Sequence, residues 1–274
     1  MPINSESFHT YQKNAAKYTE IGYLLQLVFG LCSARFFFNK LTIQVSLRFF
    51  RSISSLNKDI VQCCACPRLV EFRQAVAQKK RKQFEAWDYW GKPVPGYGEP
   101  GASLLLTGLA PAAHGGNRTG RVFTGDKSAD FLVRCLHEVG IANQPNSDSL
   151  DDGLELMNAY MTPVLKCVPP QDKPKPDELK NCAHFLSNEL ILLKNVNCIL
   201  ALGKIAFDAC LRFFRTQYDF LMKDYPFGHG NEYTLQNGII LVGSYHPSPR
   251  NVNTGRLTHS MMIELLERVK VIIR

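Results

Sequence analysis

"SLLLTGLAPAAHGGNRTGRVFTGDKSADFLVRCLHEV", from Ser103 to Val139, begins with a short apolar run, continues through a glycine-rich loop and ends in a helical pattern. The apolar run predicts a buried strand. Five glycines follow between Gly108 and Asp126, and glycine permits tight turns and the close approach of a ligand. From Lys127 onward, apolar residues recur at helical spacing. The stretch therefore predicts a strand, a ligand-binding loop and a helix.

Three further apolar runs repeat this pattern: "AYMTPVLK" from Ala159, "NCILALG" from Asn197 and "GIILVGSYHP" from Gly238. Helical patterns lie between them, one of which opens at Pro176, and a last helix closes the chain. Strands that alternate with helices predict an α/β fold with a short, mainly parallel sheet covered on both faces. Such sheets bind ligands at the carboxyl ends of their strands, so the loops after the strands are the candidate site.

The formal net charge of +8 favours a polyanionic partner such as DNA. Nine cysteines, an odd number spread over 274 residues, argue against a secreted disulfide framework and for a reducing compartment, the cytoplasm in a bacterium. Residues 21–57 contain no acidic side chain, and their apolar run is too short to cross a bilayer. We expect a basic, apolar extension over residues 1–56 and a domain over residues 57–274. Organellar targeting by the extension stays open, and no membrane insertion is expected.

The spacing of four cysteines indicates a metal site. Cys63 and Cys66 form a CxxC pair, while fourteen residues separate Cys167 from Cys182. Four thiolates brought together could hold zinc or an iron–sulfur cluster. The remaining cysteines are expected to be ordinary buried apolar side chains; they are Cys32, Cys64, Cys135, Cys198 and Cys210.

The glycine-rich loop lacks the order of a phosphate-binding loop, but it carries His114, Phe123 and Asp126. An aromatic side chain beside a glycine-rich turn can stack on a planar base. We expect Asp126 to stay ionised because it lies at a helix N-terminus, where the dipole favours negative charge. The same residues also fit a structural role, with Asp126 as a helix cap and Phe123 as part of the core.

The loop after the last strand reads "HPSPRNVNTGRLT" from His246. Its prolines restrict the backbone, and Arg250 and Asn251 offer donors for phosphates or base edges. His246 follows the strand directly and should point into the crevice. Elsewhere, the basic cluster "QKKRKQF" from Gln78 is more typical of a solvated helix face than of a binding site.

From Cys63 to the last helix, the chain resembles the family 5, or type b, iron–sulfur uracil-DNA glycosylases. The resemblance rests on "CPRLV", the glycine-rich loop, "KCVPPQDKPKP" followed by Cys182, and "HPSPRNVNTGRLT". It implies a three-layer α/β/α fold with a structural [4Fe–4S] cluster on Cys63, Cys66, Cys167 and Cys182. It further implies a monomeric enzyme that flips a damaged base out of double- or single-stranded DNA and hydrolyses its N-glycosidic bond, leaving an abasic site.

The resemblance also implies the roles of individual residues. Asp126 would be the catalytic carboxylate, His246 the donor to uracil and Phe123 the stacking platform. Further substrate contacts would come from Gly108, Ala110, His114, Asp172, Arg250 and Asn251. Leu109 and Ala110 follow the type b pattern, which lacks a polar residue there. Asp172, however, replaces the usual asparagine, and because an ionised aspartate only accepts hydrogen bonds, it puts base preference in doubt.

Uracil is the leading substrate, with deaminated purines such as hypoxanthine as further candidates. The alternative from another class is a nonenzymatic nucleic-acid-binding protein whose cysteines hold zinc. A third hypothesis keeps the family but has the enzyme trap DNA covalently through a loop histidine. The type b form of this loop argues against it.

Overall fold

A six-stranded sheet runs through the part of the chain that this computed structural model describes, residues 50–274. The strand order is β1-β3-β2-β4-β6-β5; the four inner strands are parallel, and the two edge strands pair antiparallel. The strands are β1 Tyr97–Gly98, β2 Leu104–Gly108, β3 Ala159–Pro163, β4 Cys198–Leu202, β5 Glu232–Thr234 and β6 Ile240–Ser244.

Eight α-helices accompany the sheet within the described residues. They are α1 Ile53–Val61, α2 Pro67–Lys79, α3 Gly116–Thr119, α4 Lys127–Glu138, α5 Pro176–Leu192, α6 Lys204–Phe214, α7 Pro249–Asn253 and α8 His259–Ile272. No helix among them is long and apolar enough to span a membrane.

Helices cover both faces of the sheet. Leu104 and Leu106 of β2 pack in one apolar cluster with α4 and α8, whereas Leu105 packs in another with α5 and α6. This alternation follows from the pleat of a strand, which directs successive side chains to opposite faces. Every residue of β2, β3 and β4 is buried. The predicted three-layer α/β/α fold is confirmed.

The two edge strands did not stand out in the sequence. β1 has only two residues and β5 only three, and their side chains are half-buried or exposed. Strands this short, with one edge unpaired, carry too few apolar residues to produce a recognisable period.

The predicted boundary between residues 56 and 57 falls inside α1. Leu56 and Ile60 of this helix are fully buried, and they pack in a third apolar cluster with Leu69 of α2 and Phe185 of α5. The division into an extension and a domain stays a prediction. Residues 1–49 of the extension, with Cys32, lie outside the described residues.

The glycine-rich loop follows β2, the strand at which the chain switches from building one side of the sheet to building the other. After β2 the chain forms β3 on one side of it, and then crosses to form β4 on the other. Such a reversal opens a crevice at the carboxyl ends of the strands. The loops after β2, β3 and β6 all begin at these carboxyl ends.

Candidate active site

A pocket of about 620 Å³ lies at the carboxyl edge of the sheet. The glycine-rich loop supplies the largest share of its wall, including His114, Arg118 and Asp126, and Asp172 comes from the loop after β3. Two backbone bonds hold the first two loops together, since Val164 and Leu165 donate to the carbonyls of Gly108 and Leu109 at 2.9 and 2.8 Å. These loops extend the β2–β3 pairing and give the pocket a fixed frame.

Asp126 is the N-cap of α4. Its Oδ1 accepts hydrogen bonds from the backbone N–H groups of Ser128 at 2.9 Å and Ala129 at 3.1 Å. Burial raises the pKa of the Asp126 carboxyl, and this effect outweighs the lowering by the two N–H donors. Desolvation of the charged form is therefore a larger influence on this pKa than the helix terminus, and the expectation that Asp126 stays ionised remains a prediction.

Gly115 is necessary for the position of that carboxylate. A Cβ atom at residue 115 would collide with Oδ2 of Asp126. The glycine-rich loop thus passes directly against the carboxylate, which a loop with larger side chains could not do.

Phe123 has a backbone conformation that is rare for an aromatic residue, with φ at +49°. The hydroxyl of buried Ser147 donates to its carbonyl at 3.0 Å, and Ser147 in turn accepts from buried Arg121 at 3.0 Å. On its other side the ring meets Gly108, where a Cβ would lie 2.7 Å from Cζ of Phe123. Strain at this residue is maintained by its surroundings, as is common at functional sites.

His246 lies beside that ring, and neither ring is among the residues that line the pocket of Asp126. That His246 points into the crevice stays a prediction. The centroids of the Phe123 and His246 rings are 6.4 Å apart, with a tilt of 34° between their planes. The Asn251 amide donates to the His246 carbonyl at 2.8 Å and so holds the turn after β6. Burial lowers the pKa of His246, which favours a neutral imidazole with one N–H donor.

Asp172 lies at the mouth of the pocket. It is exposed, and both it and the preceding Gln171 have a φ of +56°. The charge of Asp172 raises the pKa of His246, in opposition to burial. The residue that departs from the type b pattern therefore acts electrostatically on the predicted uracil donor.

The other predicted substrate residues lie at separate positions in and around the pocket. His114 lines the pocket, and its Nδ1 lies 2.9 Å from the hydroxyl of Tyr89. Burial lowers the pKa of His114, as do the nearby Arg81 and Arg118. Ala110 packs instead against the apolar cluster beside the cysteines. Arg250 is exposed on α7, next to pocket residue Pro249.

All four predicted cysteine ligands line one second pocket. Cys63 and Cys66 flank the start of α2, Cys167 follows β3 and Cys182 lies on α5. The pocket wall otherwise contains apolar side chains such as Leu69 and Phe185. Across residues 50–274, no three His, Cys, Asp or Glu side chains are grouped closely enough to hold a single metal ion.

Three of the remaining cysteines are buried as predicted: Cys135, Cys198 and Cys210. Cys64 is exposed, so its predicted burial is wrong. In the CxxC turn, Cys63 and Cys66 line the pocket, whereas Cys64 is exposed to solvent.

Comparison with known proteins identifies the family. A model of the uracil-DNA glycosylase superfamily matches residues 95–270. A type-5 uracil-DNA glycosylase of Thermus thermophilus is 46% identical over 77% of this chain and 94% of the relative, and one of Pyrobaculum aerophilum is 44% identical over 76% and 88%. The chain belongs to the type-5 branch of the uracil-DNA glycosylase superfamily. A type-4 uracil-DNA glycosylase of Thermotoga maritima is more distant, at 27% identity over 66% of this chain and 83% of the relative.

In this type-5 family member, the sequence did not predict the wall of the pocket formed by residues 81–89. Phe84 lines the pocket, and Tyr89 hydrogen-bonds His114. The density of aromatic residues from Phe84 to Trp90, directly after the basic cluster, was the signal that could have identified this wall. Solvated surface segments seldom carry so many large rings.

Proposed function

We propose that the chain is a DNA repair glycosylase that removes uracil by hydrolysing its N-glycosidic bond, as the names of its type-5 relatives suggest. The observation that carries this proposal is the combination of a carboxylate with a raised pKa, Asp126, and the adjacent ring pair of Phe123 and His246 at one edge of the sheet. The enzyme acts as a monomer on double- or single-stranded DNA.

A flipped uracil would stack on Phe123, whose strained backbone is already held in place before the base arrives. The neutral His246 then donates its N–H to a uracil carbonyl oxygen, where negative charge accumulates as the C1′–N1 bond breaks. The electron pair of that bond leaves with the base, which afterwards takes up a proton.

Asp126 acts on the sugar. In its ionised form it stabilises the positive charge that develops on the sugar ring and orients the water whose oxygen bonds to C1′. The proton released by that water passes to the carboxylate or to solvent. The products are free uracil and an abasic site, and no residue of the pocket cuts the strand.

The test is excision from a labelled duplex with one U opposite G, followed by alkali, beside a matched duplex that carries hypoxanthine. Strand cleavage that depends on alkali is expected for uracil, and cleavage of the second duplex would extend the substrates to deaminated purines. A duplex with T in place of U is the control. If the iron-loaded protein leaves both lesions intact, the proposed function is wrong.

We expect the excision rate to fall at acid pH. The raised pKa of Asp126 places the acid limb above about pH 3.9, the ordinary carboxyl value. The rate should fall roughly tenfold per pH unit below that pKa because only the carboxylate is active. Single-turnover rates between pH 4 and pH 8 check this. In Asp126→Asn the residual rate should lack the limb; a limb that persists there would assign it to another group.

We expect His246→Ala to lower the excision rate by about 10²–10³-fold, the usual effect of losing one preorganised donor. The measurement is the single-turnover rate at saturating enzyme, which separates chemistry from DNA affinity. His137→Ala, on the last turn of α4, is the matched control and should retain the wild-type rate. A wild-type rate in His246→Ala would remove this residue from the mechanism.

We also propose that Cys63, Cys66, Cys167 and Cys182 hold a [4Fe–4S] cluster. The four residues come from three separate segments and share one largely apolar pocket, which suits ligation by four thiolates. Donors to sulfur are present: the N–H of Lys166 lies 3.3 Å from Sγ of Cys182, and the Asn181 amide 3.8 Å from Sγ of Cys66. When bound, the cluster would link α2, the loop after β3 and α5.

We expect Cys66→Ser to lose the iron and to melt earlier. Loss of a structural metal costs about 4 kcal/mol or more, which lowers the Tm of a domain of this size by roughly 8–16 °C. Iron content and thermal melts check this, with exposed Cys64→Ser as the control that should keep both. Stoichiometric zinc without iron in the wild-type protein would contradict the cluster and favour the alternative, a zinc-stabilised binding protein.

A further inference from the structure

Four consecutive cations, Lys79 to Lys82, form what we term the basic wall. They lie at the end of α2 and the start of a short 3₁₀ turn, Lys82–Phe84. The sequence favoured a solvated helix face for them. Of the four cations, Arg81 lines the pocket that contains Asp126, together with Gln83 and Phe84.

Part of this charge has a local structural explanation. Lys79 occupies the last turn of α2, where the helix dipole favours a cation, and Lys80 donates to the Glu85 carbonyl at 3.2 Å. Arg81 and Lys82 lie beyond the helix and are exposed. Within residues 50–274 neither forms an ion pair with an acidic side chain. These two cations are available for a ligand.

Arg118 fixes the basic wall against the glycine-rich loop. Its guanidinium carbon lies 3.9 Å from the ring centroid of Phe84 and 4.0 Å from that of Trp87. The same side chain donates to the carbonyls of His114 at 2.7 Å and Gly125 at 3.0 Å. Arg118 therefore joins the segment that carries the wall to both ends of the loop that presents Asp126.

The charge around the pocket is unevenly distributed. Asp130, Asp148 and Asp172 line the other parts of its wall, and the exposed cation there, Lys127, pairs with Asp130 at 3.1 Å. A DNA phosphate is repelled by these carboxylates and attracted by Arg81 and Lys82. The favourable path for a phosphate backbone across the pocket mouth is therefore along the basic wall.

We propose that Arg81 and Lys82 bind phosphates of the lesion-carrying strand, immediately beside the flipped nucleotide. This inference rests on the proposed function, since a base held in the pocket brings its own sugar-phosphate backbone to the pocket mouth. The contacts carry no sequence information; they position the strand so that the target sugar meets Asp126.

The first test is the salt dependence of binding to a duplex with one U opposite G, measured by fluorescence anisotropy with the full-length protein in an Asp126→Asn background. Each phosphate contact contributes about 0.9 to the slope of log K against log salt concentration. Arg81→Ala/Lys82→Ala should therefore make the slope shallower by about 1.8. An unchanged slope would overturn the proposal. Because this assay does not involve excision, its outcome is independent of the proposed function.

The matched control removes two cations near the amino ends of the strands, on the side of the sheet opposite the pocket. Lys194 lies in the short loop between α5 and β4. Lys270 lies near the end of α8, where the Ile273 carbonyl accepts from the Asn158 side chain just before β3, and it pairs with Glu267 at 3.6 Å. Lys194→Ala/Lys270→Ala changes the net charge by the same amount but should leave the slope unchanged. A decrease equal to that of the wall variant would mean that net charge alone is responsible, and would overturn the proposal.

Phosphate ethylation interference on a uracil duplex locates the contacts, with Asp126→Asn as the background to keep the uracil in place. Ethylation of one or two phosphates beside the uracil, on its own strand, should block binding in this background. The same ethylations should lose their effect once Arg81 and Lys82 are also replaced by alanine. An interference pattern that is identical in the two proteins, or is confined to the complementary strand, would overturn the assignment.

Discussion

Asp126→Asn is expected to lower the rate of uracil excision by about 10²–10⁴-fold, the usual contribution of a group that acts as acid or base in the transition state. Asparagine has nearly the same size as aspartate and is an equally good N-cap. Its Oδ1 can keep the bonds from Ser128 and Ala129 that start α4. The variant therefore removes the negative charge and little else.

Single-turnover excision on the uracil duplex measures the effect, and anisotropy measures DNA binding in the same preparation. We expect binding to remain close to wild type, because in the proposed mechanism the carboxylate acts on the sugar and not on a phosphate. Asp130→Asn is the matched control: it removes a second carboxylate from the same pocket wall, one that pairs with exposed Lys127 and acts on Asp126 only through its charge. Its rate should change little. Equal losses of rate in both variants would indicate that the total negative charge of the pocket matters, and not Asp126 in particular.

Lys166→Met is expected to destabilise the protein by about 3–5 kcal/mol. Lys166 and Glu189 are almost completely buried, and Nζ of the lysine lies 2.9 and 2.8 Å from the two carboxylate oxygens. Thr162 also donates its hydroxyl to Glu189 at 2.7 Å. Removing the lysine leaves a buried carboxylate with only this hydroxyl, and the cost of desolvating the charge is then uncompensated.

Thermal melts check this prediction, with an expected decrease in Tm of roughly 6–20 °C for a domain of this size. Lys166→Met/Glu189→Leu should recover much of the loss because it removes both charges and restores apolar packing. Lys127→Met, which breaks the exposed pair with Asp130, is the surface control and should change stability by about 1 kcal/mol or less. If Lys166→Met melts like that control, the buried pair contributes no more than a surface one.

The pair illustrates which features escape analysis of the sequence. Lys166 directly precedes a predicted cluster ligand, Cys167, and Glu189 lies on a helix that was predicted from its apolar spacing. Neither residue has a local feature that marks it as buried, because a lysine or glutamate is normally exposed. Only the packing of α5 against β3 brings the two charges together.

The same distinction between local signals and tertiary packing applies to Asp126. Its position at the start of α4 was predictable, because the cap residue and the apolar spacing of the helix are both local signals. The direction of its pKa shift was not, because it depends on how much of the carboxylate the surrounding loops remove from water. For the same reason, the sequence did not predict the burial of Arg118 and Arg121 or the exposure of Cys64.

The sequence by itself determined the α/β architecture, the order of the inner strands along the chain, the helix starts at Asp126 and Pro176, and the motifs that identify the family. These are encoded locally, in apolar periods, caps and short motifs that each occupy a few consecutive residues. The tertiary structure alone decided that the basic wall joins the pocket through Arg118, that the charge of Asp172 acts on His246, and that four distant cysteines share one pocket. Those relations depend on burial and on distances between residues far apart in the chain, which no local pattern specifies.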